Sequence, residues 1–392
     1  MKGNNFIIIS GIVMTLLCHS ANLPAQDTIP HNLHAGGYLT NMQSFMFQTW
    51  KGNWISDNLI HNRLNFKWQN NSNTFNTVLE VRNRFIWGES MKYLPGYPDL
   101  IESDAGYIKL TKNISSGSSY LLNTRIDRLY FDYTFNKLQV RLGRQRINWG
   151  QCYTWNPNDL FNTYSFFDFD YVEKPGCDAV RLMYYPSTTS NLEFAIKADS
   201  GKRITTAFLY RFNKWNYDIQ FLGGFYNGKD YVIGAGWSGS IQKASIRGEV
   251  SYFRPKTNFA DTTGTFVLSL GSEYTFSNSL TLQGELLYNQ LKKTTQNSFL
   301  DFYNMDLSAK QLSFTDLSLM IQISYPLTPL INGSISAMYF PNIKGYFAGP
   351  SVTCSISDNI DFSFLAQSFG GKLINGVMQY YHLVFLRLKW NF

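Results

Sequence analysis

The sequence predicts an all-β protein, a single transmembrane β-barrel of about eighteen antiparallel strands, with sixteen as the neighbouring count. Three observations carry that prediction. Apolar and polar residues alternate one by one through most of the chain, as they do in a strand with one face in oil and the other in water. Aromatic residues make up 17% and charged residues only 16% of the 392 residues, where a soluble domain usually carries roughly a quarter charged residues. No segment after the N-terminal region approaches the roughly 18 consecutive apolar residues of a membrane-crossing helix, so strands must do the crossing.

The elements follow in order. Residues 1–25 carry one charge, Lys2, then a largely apolar run over 6–17 and a small-residue site ending Leu23-Pro24-Ala25, the pattern of a cleaved secretory signal peptide. Cys18 follows Leu16-Leu17 rather than a small residue, which speaks against a lipid-anchored cysteine. Cleavage would lower the formal net charge from +7 to +6, a modest value, and no basic cluster or nucleic-acid motif is present. The remainder, 26–392, reads as one barrel domain, with no linker-like run dividing it.

Alternation is clearest in four places. Ile60, Leu64, Phe66 and Trp68 oppose His61, Arg63, Asn65 and Lys67; Phe75, Leu79, Val81, Phe85 and Trp87 oppose Asn76, Glu80, Arg82 and Arg84. Ala244, Ile246, Val250 and Tyr252 oppose Lys243, Ser245, Arg247, Glu249 and Ser251; Val384, Leu386, Leu388, Trp390 and Phe392 oppose Arg387, Lys389 and Asn391. Short polar turns are expected at 69–74, 135–137, 186–191, 213–214, 238–240, 277–279, 325–330 and 357–359. Longer connections rotate with them at 48–58, 88–124, 146–178, 198–203, 222–230, 253–264, 289–315, 341–345 and 369–379. Short turns on one rim and long loops on the other are the asymmetry of outer-membrane barrels, and an even strand count leaves both termini on the periplasmic side. Closure is required because hydrocarbon offers no partner for edge N–H and C=O groups.

The terminal aromatic after such alternation resembles the last strand of bacterial outer-membrane β-barrels. That resemblance implies that Trp390 and Phe392 help recruit the barrel insertion machinery, and places the chain in the outer membrane of a Gram-negative bacterium with lipid around it.

A water-filled barrel works through its inward face. Arg82, Arg84, Arg128, Arg141, Arg181 and Lys197 fall on the parity opposite the apolar residues of their strands. Adjacent strands lie under about 5 Å apart, so these cations would form a basic stripe along one wall, unless each is merely a solvated residue paired with Glu80, Asp132 or Glu193. The connection over 146–178 holds Tyr153, Trp155, Phe161, Tyr164, Phe166, Phe167, Phe169 and Tyr171 with Asp159, Asp168, Asp170 and Glu173. It is too apolar for a loop in water, and is expected to fold into the barrel and set its acids against the basic wall, an eyelet with a transverse field. Its rings could offer faces to sugars or aromatic solutes, or only pack the loop to the wall.

Gly143-Arg144-Gln145, Trp149-Gly150 and Trp155-Asn156-Pro157-Asn158-Asp159 resemble the constriction region of the substrate-specific (OprD-like) porins and alginate-export-like channels, eighteen-stranded barrels of the outer membrane. The likeness covers roughly residues 138–182 and implies a place for Arg144 and Gln145 near the constriction. Parity counted from Leu138, Val140 and Leu142 instead points Arg144 to lipid. Either Gly143 permits a bulge that turns Arg144 inward, or Arg144 sits above the hydrocarbon. The resemblance carries a transport class, not a particular solute.

Cys152 and Cys177 bracket the loop, and in an oxidising compartment they could close a disulfide at its base; free thiols are the alternative. After cleavage the histidines are His31, His34, His61 and His382, none in a nucleophile or zinc motif, and no cofactor or metal is expected. The GxGxxG spelling at 234–239 lies in an alternating strand with no helix after it, so its glycines more simply relieve crowding in the lumen wall. The expected function is therefore not enzymatic: a passive channel for small hydrophilic solutes, with a preference for anions or carboxylates. Rival readings are a polysaccharide export or surface-assembly barrel, and a non-conducting structural or lipid-modifying barrel. Oligomeric state stays open.

Overall fold

A computed structural model describes residues 32–94, 96–163, 166, 173–260, 262–290, 307–372 and 377–392. The proposed signal peptide, together with Tyr164, Phe167, Asp168, Phe169, Asp170 and Tyr171, lies outside the described residues.

Alternating sequence has become antiparallel strand throughout. The first third contributes β1 (Leu33–Phe47), β2 (Ile55–Gln69), β3 (Phe75–Gly88), two short helices α1 (Ser90–Tyr93) and α2 (Tyr97–Glu102), β4 (Thr111–Ser116), β5 (Tyr120–Phe135) and β6 (Leu138–Gln145). After the long loop come β7 (Cys177–Ser187), β8 (Ser190–Ala198), β9 (Ile204–Lys214), β10 (Tyr217–Tyr226), β11 (Asp230–Ile241), β12 (Ala244–Pro255) and β13 (Thr265–Thr275). The last third supplies β14 (Thr281–Asn289), β15 (Leu317–Thr328), β16 (Ile331–Phe340), β17 (Gly345–Ser357), β18 (Ile360–Lys372) and β19 (Met378–Asn391). Each pairs antiparallel with its neighbour, and β1 closes the cylinder on β19 in a register from Tyr38 against Asn391 to Phe47 against His382. No open edge is left to face hydrocarbon there.

Eighteen of these strands form the closed wall, and β4 is the extra one. It pairs with β5 at residues 121–125, on the same edge that β6 occupies at residues 129–135, while β3 takes the other edge. The predicted connection at 88–124 thus includes a strand. Its physical reason is the early end of β6 at Gln145: where β6 leaves the wall, the edge of β5 above it needs a new partner, and β4 supplies it.

Outward positions such as Phe131, Tyr133, Leu142, Phe208, Ile233, Ile321, Phe364 and Leu388 are exposed apolar side chains, as a lipid-facing surface requires. The inward parity is less uniformly wet than alternation suggests. Phe253, Val267, Leu287, Met320, Met338, Phe340, Phe347 and Phe369 point in near the long-loop end and are buried with Trp149, Leu160, Phe161, Ala309 and Leu312 of two connections. A dry core lies there between wall and infolded loops, because a loop that docks inside a barrel must bury an apolar face as any packed element does.

Candidate functional site

The basic wall is centred on β2, β3 and β5. Arg63 stands opposite Arg82, and Arg82 opposite Arg125, so three guanidinium groups occupy one cross-strand row. Like charges directly opposite repel, and Asp127 answers them. It pairs with Arg63, lies 3.3 Å from Arg82 Nε and 3.6 Å from Arg125 Nε, and is fully buried. Glu80 also pairs with Arg63, and Glu173 approaches it at 3.8 Å while accepting a 3.1 Å hydrogen bond from the Tyr38 hydroxyl. Arg84 stands one step along β3 and donates to Asn123 Oδ1 at 2.9 Å; Arg128 donates to the Glu173 and Lys174 carbonyls at 2.8 and 2.7 Å. Three of these five guanidinium groups pair with three carboxylates, and Arg125, with 16% of its side chain exposed against 1% for Arg63 and 3% for Arg82, is the member of the row most open to water.

A bulge creates the arrangement. The register between β3 and β5 shifts after Glu80, so Asp127 and its neighbour Arg128 both reach the inner side. Counting parity from Arg128 would send Arg125 to lipid, which is why alternation alone missed it. The bulged residue reverses the count and brings Arg125 into the row. Alternation places Arg63 on the inward parity but gives no sign of its partner Asp127.

The other predicted cations are dispersed. Arg141 pairs with Asp132, and Arg181 with Glu193 at 2.5 Å. Lys197 donates to the Phe161 carbonyl at 2.7 Å, a tether for the loop. Arg144 requires a correction, since it does not line the lumen. Its Nε lies 2.7 Å from Asp178, its NH1 2.8 Å from Asp104, and its NH2 donates to the Ile108 carbonyl, all buried in the wall beside the segment over 104–110. Gly143, at φ 122°, takes a backbone conformation closed to most side chains, and register with β7 continues through it without a slip. Arg144 therefore keeps its outward parity, and the loop before β4 covers and neutralises it. Burial alone would raise the Asp104 carboxyl, but hydrogen bonds from Arg144 and from the Gly106 and Leu110 amides hold it down at about 2. Gln145 also lies away from water, fully buried with Nε2 donating to the Arg141 and Ala179 carbonyls.

Among the described residues of the connection over 146–176, those at 146–163 lie against the inner wall. This stretch runs along the inner wall from β6 to β15 and returns. Trp149 donates through Nε1 to Glu193 at 2.8 Å, and Gln220 Nε2 donates to the Trp149 carbonyl at 2.7 Å. Arg247 lies over the Tyr153 ring at 3.6 Å and donates to the Gln151 carbonyl. Two residues that sequence reasoning did not single out hold the turn of the loop. Glu249 on β12 accepts the amides of Gln151, Cys152 and Asn158, the latter two at 2.7 and 2.9 Å. Glu285 on β14 accepts those of Tyr153, Thr154 and Trp155 at 3.0, 2.9 and 2.7 Å, and the Ser269 hydroxyl at 3.0 Å. The polar parity of Glu249 is legible in the sequence; the loop's backbone as the partner of both is not. Gly234 and Gly236 make room: a Cβ at either would fall within 3.0 Å of Asn158.

Several loop expectations change accordingly. The Trp155 ring is buried in the dry core and offers no face to a solute. Asp159 is buried away from the basic row, and its burial, offset only in part by Arg146 and Lys197, pushes its carboxyl up to about 6. Of the described acids of the loop, Glu173 is the one that meets the arginines. Cys152 and Cys177 are free thiols rather than a disulfide. Cys152 travels with the loop to the Ser269 carbonyl, whereas Cys177 stays at the start of β7 beside Asn162. Among the described residues no group of His, Cys, Asp and Glu could hold a metal ion.

No protein-family model matches this sequence, and no curated protein sequence does. Solved structures do match. The barrel superposes on OccAB1 of Acinetobacter baumannii with a TM-score of 0.57 at 9% identity, covering 94% of this chain and 98% of that one. It superposes on a BenF-like porin of Pseudomonas fluorescens Pf-5 with a TM-score of 0.58 at 9% identity over 92% and 99% of the two chains. OpdQ of Pseudomonas aeruginosa gives 0.57 at 9% over 92% and 97%. At such identities the likeness is one of architecture, and the chain has the closed eighteen-stranded fold of these porins.

Proposed function

We propose that this barrel is a porin of the outer membrane of a Gram-negative bacterium, surrounded by lipid, through which small hydrophilic solutes diffuse down their gradients. A preference for anions or carboxylate-bearing solutes belongs to the same reading. The observation that carries it is the row Arg63, Arg82 and Arg125 with Arg84 and Arg128 beside it, an excess of fixed positive charge on a wall flanking the infolded loop. A cation row at a constriction raises the local concentration of anions and repels cations of the same size. In proteoliposomes, small carboxylates should enter faster than neutral solutes of equal size, and amines slowest. Equal entry of all three, or faster entry of amines, contradicts the proposal.

A further inference from the structure

The infolded loop is fastened to the far wall by an unusual pair of groups. Glu249 and Glu285 are carboxylates on neighbouring parts of the inner wall, 0% and 4% exposed. Burying a carboxylate is costly unless its lone pairs are satisfied. Among the described residues their hydrogen-bond partners are six consecutive or nearly consecutive backbone amides of one loop, with the Ser269 hydroxyl as the seventh, and no cation pairs with them. Each carboxylate thus organises a turn of main chain around itself, as an anion does when it is held in a concave cluster of N–H groups. Removing the loop would take six backbone donors from the two carboxylates and leave Glu285 the Ser269 hydroxyl, so their low exposure and the loop's inward position depend on each other.

We propose that Glu249 and Glu285 are the positioning residues that set the aperture, holding 151–158 against β11–β14 so that the passage left over has a fixed width. They act through the loop backbone and need touch no solute. This inference rests on the proposed function only in taking the lumen as the conduction path. Glutamine is the informative replacement, since it keeps the shape but sets an NH2 donor against amide donors. Further fastenings, Thr154 Oγ1 at 2.8 Å from Met320 Sδ and Asn158 Nδ2 at 2.9 Å from the Ala235 carbonyl, are weaker neutral contacts.

The test is single-channel recording of the full-length protein in planar bilayers. The E249Q/E285Q variant should show a conductance raised at least about twofold, with added open-state noise, because the loop leaves the wall and the aperture widens. Its folded barrel is verified by unheated gel mobility, and Glu249→Asp with Glu285→Asp should fall between variant and wild type. Wild-type conductance and noise in a folded E249Q/E285Q barrel would overturn the inference. Should that variant fail to fold, a Cys152→Ser protein carrying Thr154→Cys and Met320→Cys gives the answer. Closing that cross-link should leave conductance unchanged, since the loop is already fixed, and a marked fall in conductance or noise on closure would overturn the inference. A wild-type channel that conducts but prefers cations refutes the proposed selectivity alone, whereas one that does not conduct at all overturns both.

Discussion

Asp127→Asn is the most revealing single change. Asp127 is the fully buried carboxylate shared by Arg63, Arg82 and Arg125. At 3.3 and 3.6 Å, and with an effective dielectric constant of about 20, its attraction to Arg82 and Arg125 is roughly 5 kcal/mol each before desolvation is charged against it. Removing one partner of a buried pair typically costs about 3–5 kcal/mol net, since the guanidinium groups stay buried without their counter-charge. The variant should therefore unfold from detergent micelles at lower denaturant, while adding one net positive charge to the row. Two consequences follow: the anion-to-cation permeability ratio rises, and added acetate or chloride raises the variant's melting temperature more than that of the wild type, by occupying the place of the carboxylate. Reversal potentials and thermal melts in a series of sodium salts read both. An Asp127→Asn barrel with unchanged stability and an unchanged or lowered permeability ratio would refute the reasoning, because Asp127 would then not be the counter-charge of the row.

Other outcomes follow from single sites. Asp159 has a folded-state value raised to about 6, so the group favours folding below its ordinary range near 4 and that contribution is lost as pH rises through about 6; Asp159→Asn should stabilise the barrel by up to about 3 kcal/mol at pH 8 and leave it unchanged at pH 4, as measured by melts at the two pH values. Asp104 has the opposite sign, with stability present above its ordinary range and lost as pH falls through about 2, so Asp104→Asn should loosen the segment over 104–110 to proteases at neutral pH while leaving ion selectivity alone. Gly143→Val should lower the yield of folded barrel, because a Cβ there would lie 2.3 Å from the Leu129 carbonyl oxygen at a backbone φ of 122°. Removing Phe392, whose main chain exchanges hydrogen bonds of 2.9 and 3.0 Å with Gly37, should reduce assembled protein in outer-membrane fractions.

The wall was legible because lipid and water impose opposite demands on neighbouring residues, and no strand can satisfy both without alternating. The turn at 135–137 and the loop at 146–178 fell where the structure has them to within a residue or two. The bulge at Asp127 was hidden, since one inserted residue reverses parity and leaves no local mark beyond an adjacent Asp-Arg pair. Arg125 was lost with it. For Arg144 the resemblance pointed to the constriction and parity to the outside; the structure follows parity, and the segment over 104–110 that covers it lies some forty residues earlier in the chain. Glu249 reads from its parity as an ordinary wet-face residue and Glu285 has no distinguishing mark in the sequence, because the amides they hold belong to a distant loop and amides carry no sequence signature. The GxGxxG stretch shows the reverse, a motif whose plain explanation, room for a close neighbour, is the one the structure bears out at Gly234 and Gly236.

The reversal potential of the wild-type channel across a potassium chloride gradient in a planar bilayer bears most directly on the reading of the arginine row. Excess fixed positive charge predicts a potential of the sign set by chloride, shrinking as ionic strength rises and the row is screened. A potential of the sign set by potassium, with the barrel intact, would contradict it.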